Sequence, residues 1–346
     1  MNIAIVGATG LVGQVILELL EKFEFNFDSV YAIASKKSIG KSIKFRDQEI
    51  TIISIENSVE KEIDVAIFSA GKELSLKWAP IFVAKGIYVI DNSSAWRMDE
   101  TKKLIVPEIN GHILEKNDKI IPNPNCSTIQ MVMAIHSIHA KYNILRIIVS
   151  TYQSISGTGR KAIAQLEGEQ NSVETEKVYP YQIYKNAIPH CDEFEKNGYT
   201  KEEMKLVNET NKILDSNISI TATAVRLPIS GGHSESINLT LENQFKIDDI
   251  KNVIKNSKGV ILEDNPSENL YPMPLSSQGK DEVYVGRVRR DNSCENSLNM
   301  WVVSDNLRKG AATNTVQIMK LLINRAVSYT HLRAHETPEH LVCRLL

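Results

Sequence analysis

An apolar run, Asn2-Ile-Ala-Ile-Val6, ends in Gly7-Ala8-Thr9-Gly10-Leu11-Val12-Gly13, and Gln14 to Leu20 then carry their apolar residues at helical spacing. Strand, glycine-rich turn and helix in that order commit the chain to a βα unit with a tight turn. Such a turn lets the backbone approach a pyrophosphate whose charge sits at the helix N-terminus. The spacing is G-x-x-G-x-x-G rather than G-x-G-x-x-G. Three glycines after a strand are a weak signal alone, and a βα turn without ligand is the alternative.

The next segments narrow the choice. Ser29–Ala34 is a second apolar strand, and it runs into Ser35-Lys36-Lys37-Ser38. NAD-specific folds place an acidic residue near this point for the ribose 2′-hydroxyl. Two cations and two hydroxyls suit a 2′-phosphate instead, so NADP is the expected cofactor; lysines that merely cover a loop are the alternative. Asp64–Ser69 and Tyr88–Asp91 read as further strands, with a helix over about 73–85 between them. This alternation predicts a doubly wound parallel sheet. Ser69-Ala70 and Asn92 fall at strand C-termini, where open α/β sheets bind ligands.

Ile120-Ile121-Pro-Asn-Pro-Asn125-Cys126-Ser-Thr128 is a strand, a turn and a cysteine ahead of a helical run. A thiol at a helix N-terminus meets free N–H groups that favour the thiolate, so a lowered pKa and a nucleophilic role are expected. An inert buried cysteine is the alternative. The remaining cysteines, 191, 294 and 343, are too scattered for a disulfide framework or a metal cluster, and the His190-Cys191 pair reads as incidental. The fold class is therefore α/β. An NADP-binding domain is expected at 1–126, joined by a C-terminal helix at about 309–326. A catalytic and dimerisation domain of α+β type is expected at 127–308, with β-type runs at Leu145–Tyr152, Ser219–Leu227, Ser236–Leu241 and Leu298–Ser304. The hinge would lie near Cys126, placing the site in the interdomain cleft.

Five blocks stand in collinear order: Asn125-Cys-Ser-Thr128, Tyr152-Gln153-Ser-Ile-Ser156-Gly157-Thr-Gly159, Arg226-Leu-Pro-Ile-Ser-Gly-Gly-His233-Ser-Glu235, Gly286-Arg-Val-Arg-Arg-Asp291 and Asn314-Thr-Val-Gln317. Together they resemble the aspartate-β-semialdehyde dehydrogenases over residues 1–326. The resemblance implies a catalytic set of Cys126 as nucleophile, His233 as proton shuttle and Gln153 orienting the acyl intermediate. It implies Arg226 on the substrate carboxylate, where a planar fork fits bidentately. Glu202 is implied on the substrate amino group, Lys205 and Arg97 on anionic groups including phosphate, and Asn125 beside the substrate. Ser156, Gly157 and Gln317 are implied at the cofactor. Structural readings stand beside these: a core histidine, a surface Glu202/Lys205 pair, a solvent-facing Gln153. The implied reaction is NADPH-dependent reduction of L-aspartyl-4-phosphate to L-aspartate 4-semialdehyde through a thioester, feeding lysine, threonine and methionine. A related acyl-phosphate or acyl-CoA reductase of the malonyl-CoA type, and a non-catalytic NADP-binding homologue, are the rivals.

A formal net charge of −2 gives no field for nucleic acid, and no run approaches the roughly 18 apolar residues of a membrane span. Met1 leads straight into the first strand, so the cytoplasm is the expected location and no nucleic-acid or membrane partner is expected. A homodimer is expected, with a tetramer as the alternative. Residues 327–346 resemble a translated sequencing adapter, and His331, His335 and His340 within them are therefore not read as a metal site.

Overall fold

Strands that are apolar on both sides need cover on both faces, and the first half of the chain supplies it. β1 (Asn2–Val6) and β2 (Ser29–Ile33) are followed by a small antiparallel hairpin, β3 (Ser42–Phe45) and β4 (Gln48–Thr51), then by β5 (Val65–Phe68), β6 (Tyr88–Asp91) and β7 (Ile120–Pro122). The five strands β2-β1-β5-β6-β7 pair in parallel in that order. One face, through Ile3, Ile5, Ile67 and Ile90, packs on Leu17 and Leu20 of α1 (Leu11–Lys22) and on Val316 and Met319 near the C-terminus. The other, through Val6, Ala66 and Phe68, packs on Phe82 of a later helix, and Phe68 meets that ring edge-on at 5.3 Å. After the short α2 (Ile55–Ser58), that helix is α3 (Lys72–Ala84), and the short α4 (Pro107–Asn110) precedes β7. The computed structural model describes residues 1–334 except Glu24 and Asn26.

Asn123-Pro124-Asn125 carries the chain from β7 into α5 (Cys126–Tyr142), the central helix of the second core. β8 (Ile144–Gln153), α6 (Arg160–Asn171), α7 (Lys201–Leu214), β9 (Ser219–Arg226), β10 (His233–Leu241) and α8 (Ile247–Lys255) follow. β11 (Val260–Leu262), the short α9 (Pro274–Ser277), β12 (Val283–Arg290) and β13 (Ser297–Ser304) complete a mixed sheet ordered β11-β12-β13-β10-β8-β9. Ile147, Val149, Ile237, Leu239, Met300 and Val302 point from this sheet onto α5, Leu206 of α7 and Ile250 of α8. Among the described residues the opposite face is covered at β13 by the short α9 and its flanking loop, while Ile148 stays exposed and Tyr152 and Trp301 are in ring contact at 5.3 Å.

The C-terminal helix begins as a π-turn, Arg308–Ala312, and continues as α10 (Thr313–Ala334). Its backbone thus runs past the expected end near Ala326 into the segment read as foreign. Residues 335–346, with His335 and His340, lie outside the described residues. His233 opens β10, directly after Gly231-Gly232. The hairpin β3–β4 was not read at all, because its exposed polar residues outnumber its apolar ones. Among the described residues no helix is long and apolar enough to cross a membrane.

Candidate active site

Gly7 takes φ +93°, and a Cβ there would stand 2.3 Å from the Ser69 carbonyl oxygen. Gly13 lets α1 press on the turn, since its Cβ would come 2.2 Å from Gly7 O. The turn is tied to β2 by Gly7 N and Ala8 N donating to Ile33 O at 2.9 and 3.1 Å. Gly10, Leu11 and Val12 therefore face a cavity of about 500 Å³, while Ala8, Thr9 and Gly13 complete the turn outside its lining and Ala70 packs on Gly7. Ser69 and Asn92 line the cavity from the ends of β5 and β6. Ser35, Lys36, Lys37 and Ser38 form the turn after β2, outside the lining, and both lysines are exposed.

The same cavity is closed on the other side by Cys126, Gln153, Ser156, Gly157, Arg226 and His233. Cys126 is the first residue of α5, and the Asn125 side chain caps the helix by accepting from Ser127 N at 3.0 Å and Thr128 N at 3.2 Å. Asn125 Nδ2 and Gln153 Nε2 both donate to Glu202 Oε1 at 3.1 Å, and Gln153 Nε2 also reaches Ser127 Oγ at 2.7 Å. Lys205 Nζ bridges Glu202 Oε2 at 3.0 Å and Asp192 Oδ2 at 2.7 Å. Burial would raise the Glu202 carboxyl, yet Lys205 and the two amides hold it at about 2. Glu202 is thus a fixed anion in the wall of the cleft.

Arg226 and Arg97 line the same cleft. Arg226 Nη1 donates to Ser154 O at 2.6 Å, and its Nε has no partner. Arg97 Nη1 pairs with buried Glu209 at 3.2 Å, its Nη2 donates to Asn92 O at 2.8 Å, and its Nε is likewise unpaired. Glu209 also accepts from Asn125 N at 2.6 Å, so one carboxylate positions both Arg97 and the backbone before Cys126.

The thiol departs from the sequence reading. Burial and Glu202 push Cys126 up to about 12, outweighing Arg97, Arg226 and the helix-start N–H that favour the thiolate. Cys126 is still partly open to the cleft. Burial and Arg226 push His233 down to about 3, against Glu202, which leaves its ring neutral.

Gln317 is not in the cleft. Its Oε1 accepts from Lys309 at 2.7 Å and its Nε2 donates to Glu108 at 2.8 Å, around a buried Lys309–Glu108 pair at 2.7 Å. From the same segment, Leu307, Gly310 and Ala311 line the cavity instead. Asp192, Glu209, Asn306 and Gly310 were not read from sequence. Glu209 had a signal, since Glu202, Lys205 and Glu209 repeat on one helix face. Cys191 is buried and His190 stacks on Phe194, and neither residue lines the cleft.

Gly310 sits in a π-turn, a local irregularity often found at functional sites. A Cβ there would come 2.8 Å from Cys126 Cβ, close to the backbone where nothing can swing aside. Gly310→Ala is expected to displace the thiol and lower kcat about 10²-fold, as misplacement by about 1 Å does. Steady-state kinetics beside a melting curve check this; a kcat near the parent value would contradict it.

Comparison with known proteins identifies the family. Residues 2–117 match the family model "Semialdehyde dehydrogenase, NAD binding domain", and residues 135–309 match "Semialdehyde dehydrogenase, dimerisation domain". Aspartate-semialdehyde dehydrogenase of Aquifex aeolicus is 49% identical over 94% of this chain and 99% of its own. The chain belongs to the aspartate-semialdehyde dehydrogenases. The Bacillus subtilis member is 45% identical over 93% of this chain and 97% of its own. The crystal structure of aspartate semialdehyde dehydrogenase II from Vibrio cholerae, complexed with ASA, superposes with a TM-score of 0.89 at 41% identity, covering 93% of this chain and 98% of that one. Membership makes the chain an oxidoreductase with a nicotinamide-binding domain of Rossmann type.

Proposed function

We propose that the chain reduces L-aspartyl-4-phosphate to L-aspartate 4-semialdehyde with NADPH, releasing phosphate, through a thioester on Cys126. The observation that carries this is one cavity in which the glycine turn, Cys126, Arg97, Arg226 and His233 meet. Gly10, Leu11 and Val12, with Asn92, Ser156 and Gly157, would hold the dinucleotide, which supplies the hydride when bound. The exposed Lys36 and Lys37, flanked by Ser35 and Ser38, support NADP over NAD at its 2′-phosphate. Arg226 would grip the substrate carboxylate, with its unpartnered Nε available to it. Glu202, held ionised at about 2, suits an ammonium group and supports an amino-acid substrate over a simple acyl-CoA. Lys205 balances that charge, Asn125 and Gln153 fix the Glu202 carboxylate and frame the acyl group, and Arg97 takes the phosphate. His233 serves the oxygen of the tetrahedral thiohemiacetal.

The exposed part of the outer face of the mixed sheet, at Ile148, supports a homodimer, with a tetramer built on it as the alternative. A place in the cytoplasm, and in the supply of lysine, threonine and methionine, follows from the same reading. The test is the reverse reaction of the full chain with aspartate semialdehyde, phosphate and either NADP⁺ or NAD⁺. NADPH formation that requires phosphate, and outpaces NADH formation, is expected. A folded protein that binds the dinucleotide yet gives no phosphate-dependent turnover would overturn the reading.

A further inference from the structure

Lys205 Nζ stands between two carboxylates, 3.0 Å from Glu202 Oε2 and 2.7 Å from Asp192 Oδ2. Asp192 lines the cleft, and its side chain is 36% exposed. It comes from the loop between α6 and α7, which is fastened at both ends. Ile188 exchanges two backbone hydrogen bonds with Arg226 at the end of β9, at 2.8 and 3.0 Å. Further on, Lys201 N donates to Glu193 O at 2.8 Å, and Phe194 pairs with Thr200, the residue that caps α7. Asp192 is thus held between the strand that carries Arg226 and the helix that carries Glu202.

A carboxylate offers about four acceptor sites, two on each oxygen. Glu202 fills three of them, since Oε1 accepts from Asn125 and Gln153 and Oε2 from Lys205. Asp192 fills two, taking Lys205 on Oδ2 and Glu193 N on Oδ1 at 2.9 Å. One open site on Glu202 and two on Asp192 match the three N–H groups of an ammonium. Burial would raise the Asp192 carboxyl, yet Lys205 holds it below the usual carboxylate range. Both acids are therefore ionised at neutral pH, and with Lys205 between them one negative charge is left over. Beyond them Arg226 is buried, lines the same cleft and has an Nε without a partner.

We propose that Asp192 is a second binding residue for the substrate's α-ammonium group, shared with Glu202, and that it sets the preference for an amino acid over the same aldehyde without the amino group. The proposal rests on the reading above, in which Arg226 takes the substrate carboxylate. An α-amino acid carries its ammonium and its carboxylate on one carbon, so the groups that receive them must stand side by side. The pairing of Ile188 with Arg226 brings the Asp192 loop to that place. Lys205 uses two of its three N–H donors on the carboxylates and keeps the third for an anionic group. Asp192 forms no bond in the reaction and moves no proton; it contributes binding and selectivity.

The test compares Asp192→Asn with the unmodified full chain in the oxidative direction, with aspartate semialdehyde and with succinate semialdehyde, which lacks only the amino group. Asn keeps the side-chain shape and tolerates the left-handed backbone at this position, where φ is +69°, so the variant should melt with the parent. Loss of one charge-assisted contact should raise the KM for aspartate semialdehyde about tenfold, with kcat and the KM for phosphate near the parent values. Succinate semialdehyde is read by kcat/KM if it turns over, and by Ki against aspartate semialdehyde if it does not. Either value should stay within about twofold of the parent, so the preference for the amino acid falls about tenfold. An equal loss for both aldehydes would make Asp192 a support for Lys205 alone and overturn the proposal. A rise confined to the KM for phosphate, or no change with either aldehyde, would overturn it as well. Turnover of aspartate semialdehyde that Asp192→Asn leaves intact sinks the proposal alone; no phosphate-dependent turnover by the unmodified chain sinks it together with the reaction beneath it.

Discussion

Cys126→Ala is expected to lower turnover by at least about 10³-fold while the protein stays folded and still binds the dinucleotide. No other thiol can substitute: among the described residues Cys191 is buried away from the cleft and Cys294 is exposed on the surface. The fold should tolerate the change because Asn125 caps α5 with its own side chain, to Ser127 N and Thr128 N, and none of that depends on sulfur. Matched melting curves together with the reverse assay separate loss of chemistry from loss of structure. Residual activity near the parent value would contradict a covalent role.

Arg97→Ala is expected to act on both stability and binding. Its partner Glu209 is 1% exposed, and removing one member of a buried pair costs about 3–5 kcal/mol because the other charge is left without compensation. Burial already raises the Glu209 carboxyl despite Arg97, and removing the arginine raises it further. A carboxyl whose folded pKa lies above its unfolded one stabilises most at low pH, and that contribution is lost as pH rises through the folded value. The variant should therefore be most destabilised at neutral and alkaline pH and least in acid. Adding Glu209→Gln should recover most of the loss. The same substitution should raise the KM for phosphate in the oxidative direction about tenfold or more, the worth of a charge-assisted contact. A melting series against pH and a phosphate titration check the two halves separately.

Local patterns carried much of the architecture. The apolar runs of β1, β2, β5 and β6 and the glycine turn were readable because a parallel strand must be apolar throughout and a close backbone contact excludes a Cβ. Cys126 at a helix start was readable for the same reason, since strand, turn and helix are consecutive. What stayed illegible depended on packing between distant segments. The thiol is pushed up and not down, because its desolvation and the approach of Glu202 come from α7, far along the chain. Gln317, expected at the cofactor, holds Lys309 and Glu108 in a pairing that joins α10 to α4 and that no local pattern announces. Asp192 reaches Lys205 from a loop where its own φ is +69°, and no periodicity marks it.

The covalent step can be watched without the hydride transfer that follows it. Full-length protein mixed with a slight excess of aspartyl phosphate and no dinucleotide, then quenched and digested, should release phosphate in a burst of one equivalent per active site. Mass analysis should place an aspartyl adduct, labile to hydroxylamine, on the peptide that contains Cys126, and Cys126→Ala should show neither burst nor adduct. Phosphate release without an adduct, or an adduct on any other residue, would contradict the thioester on which the account depends.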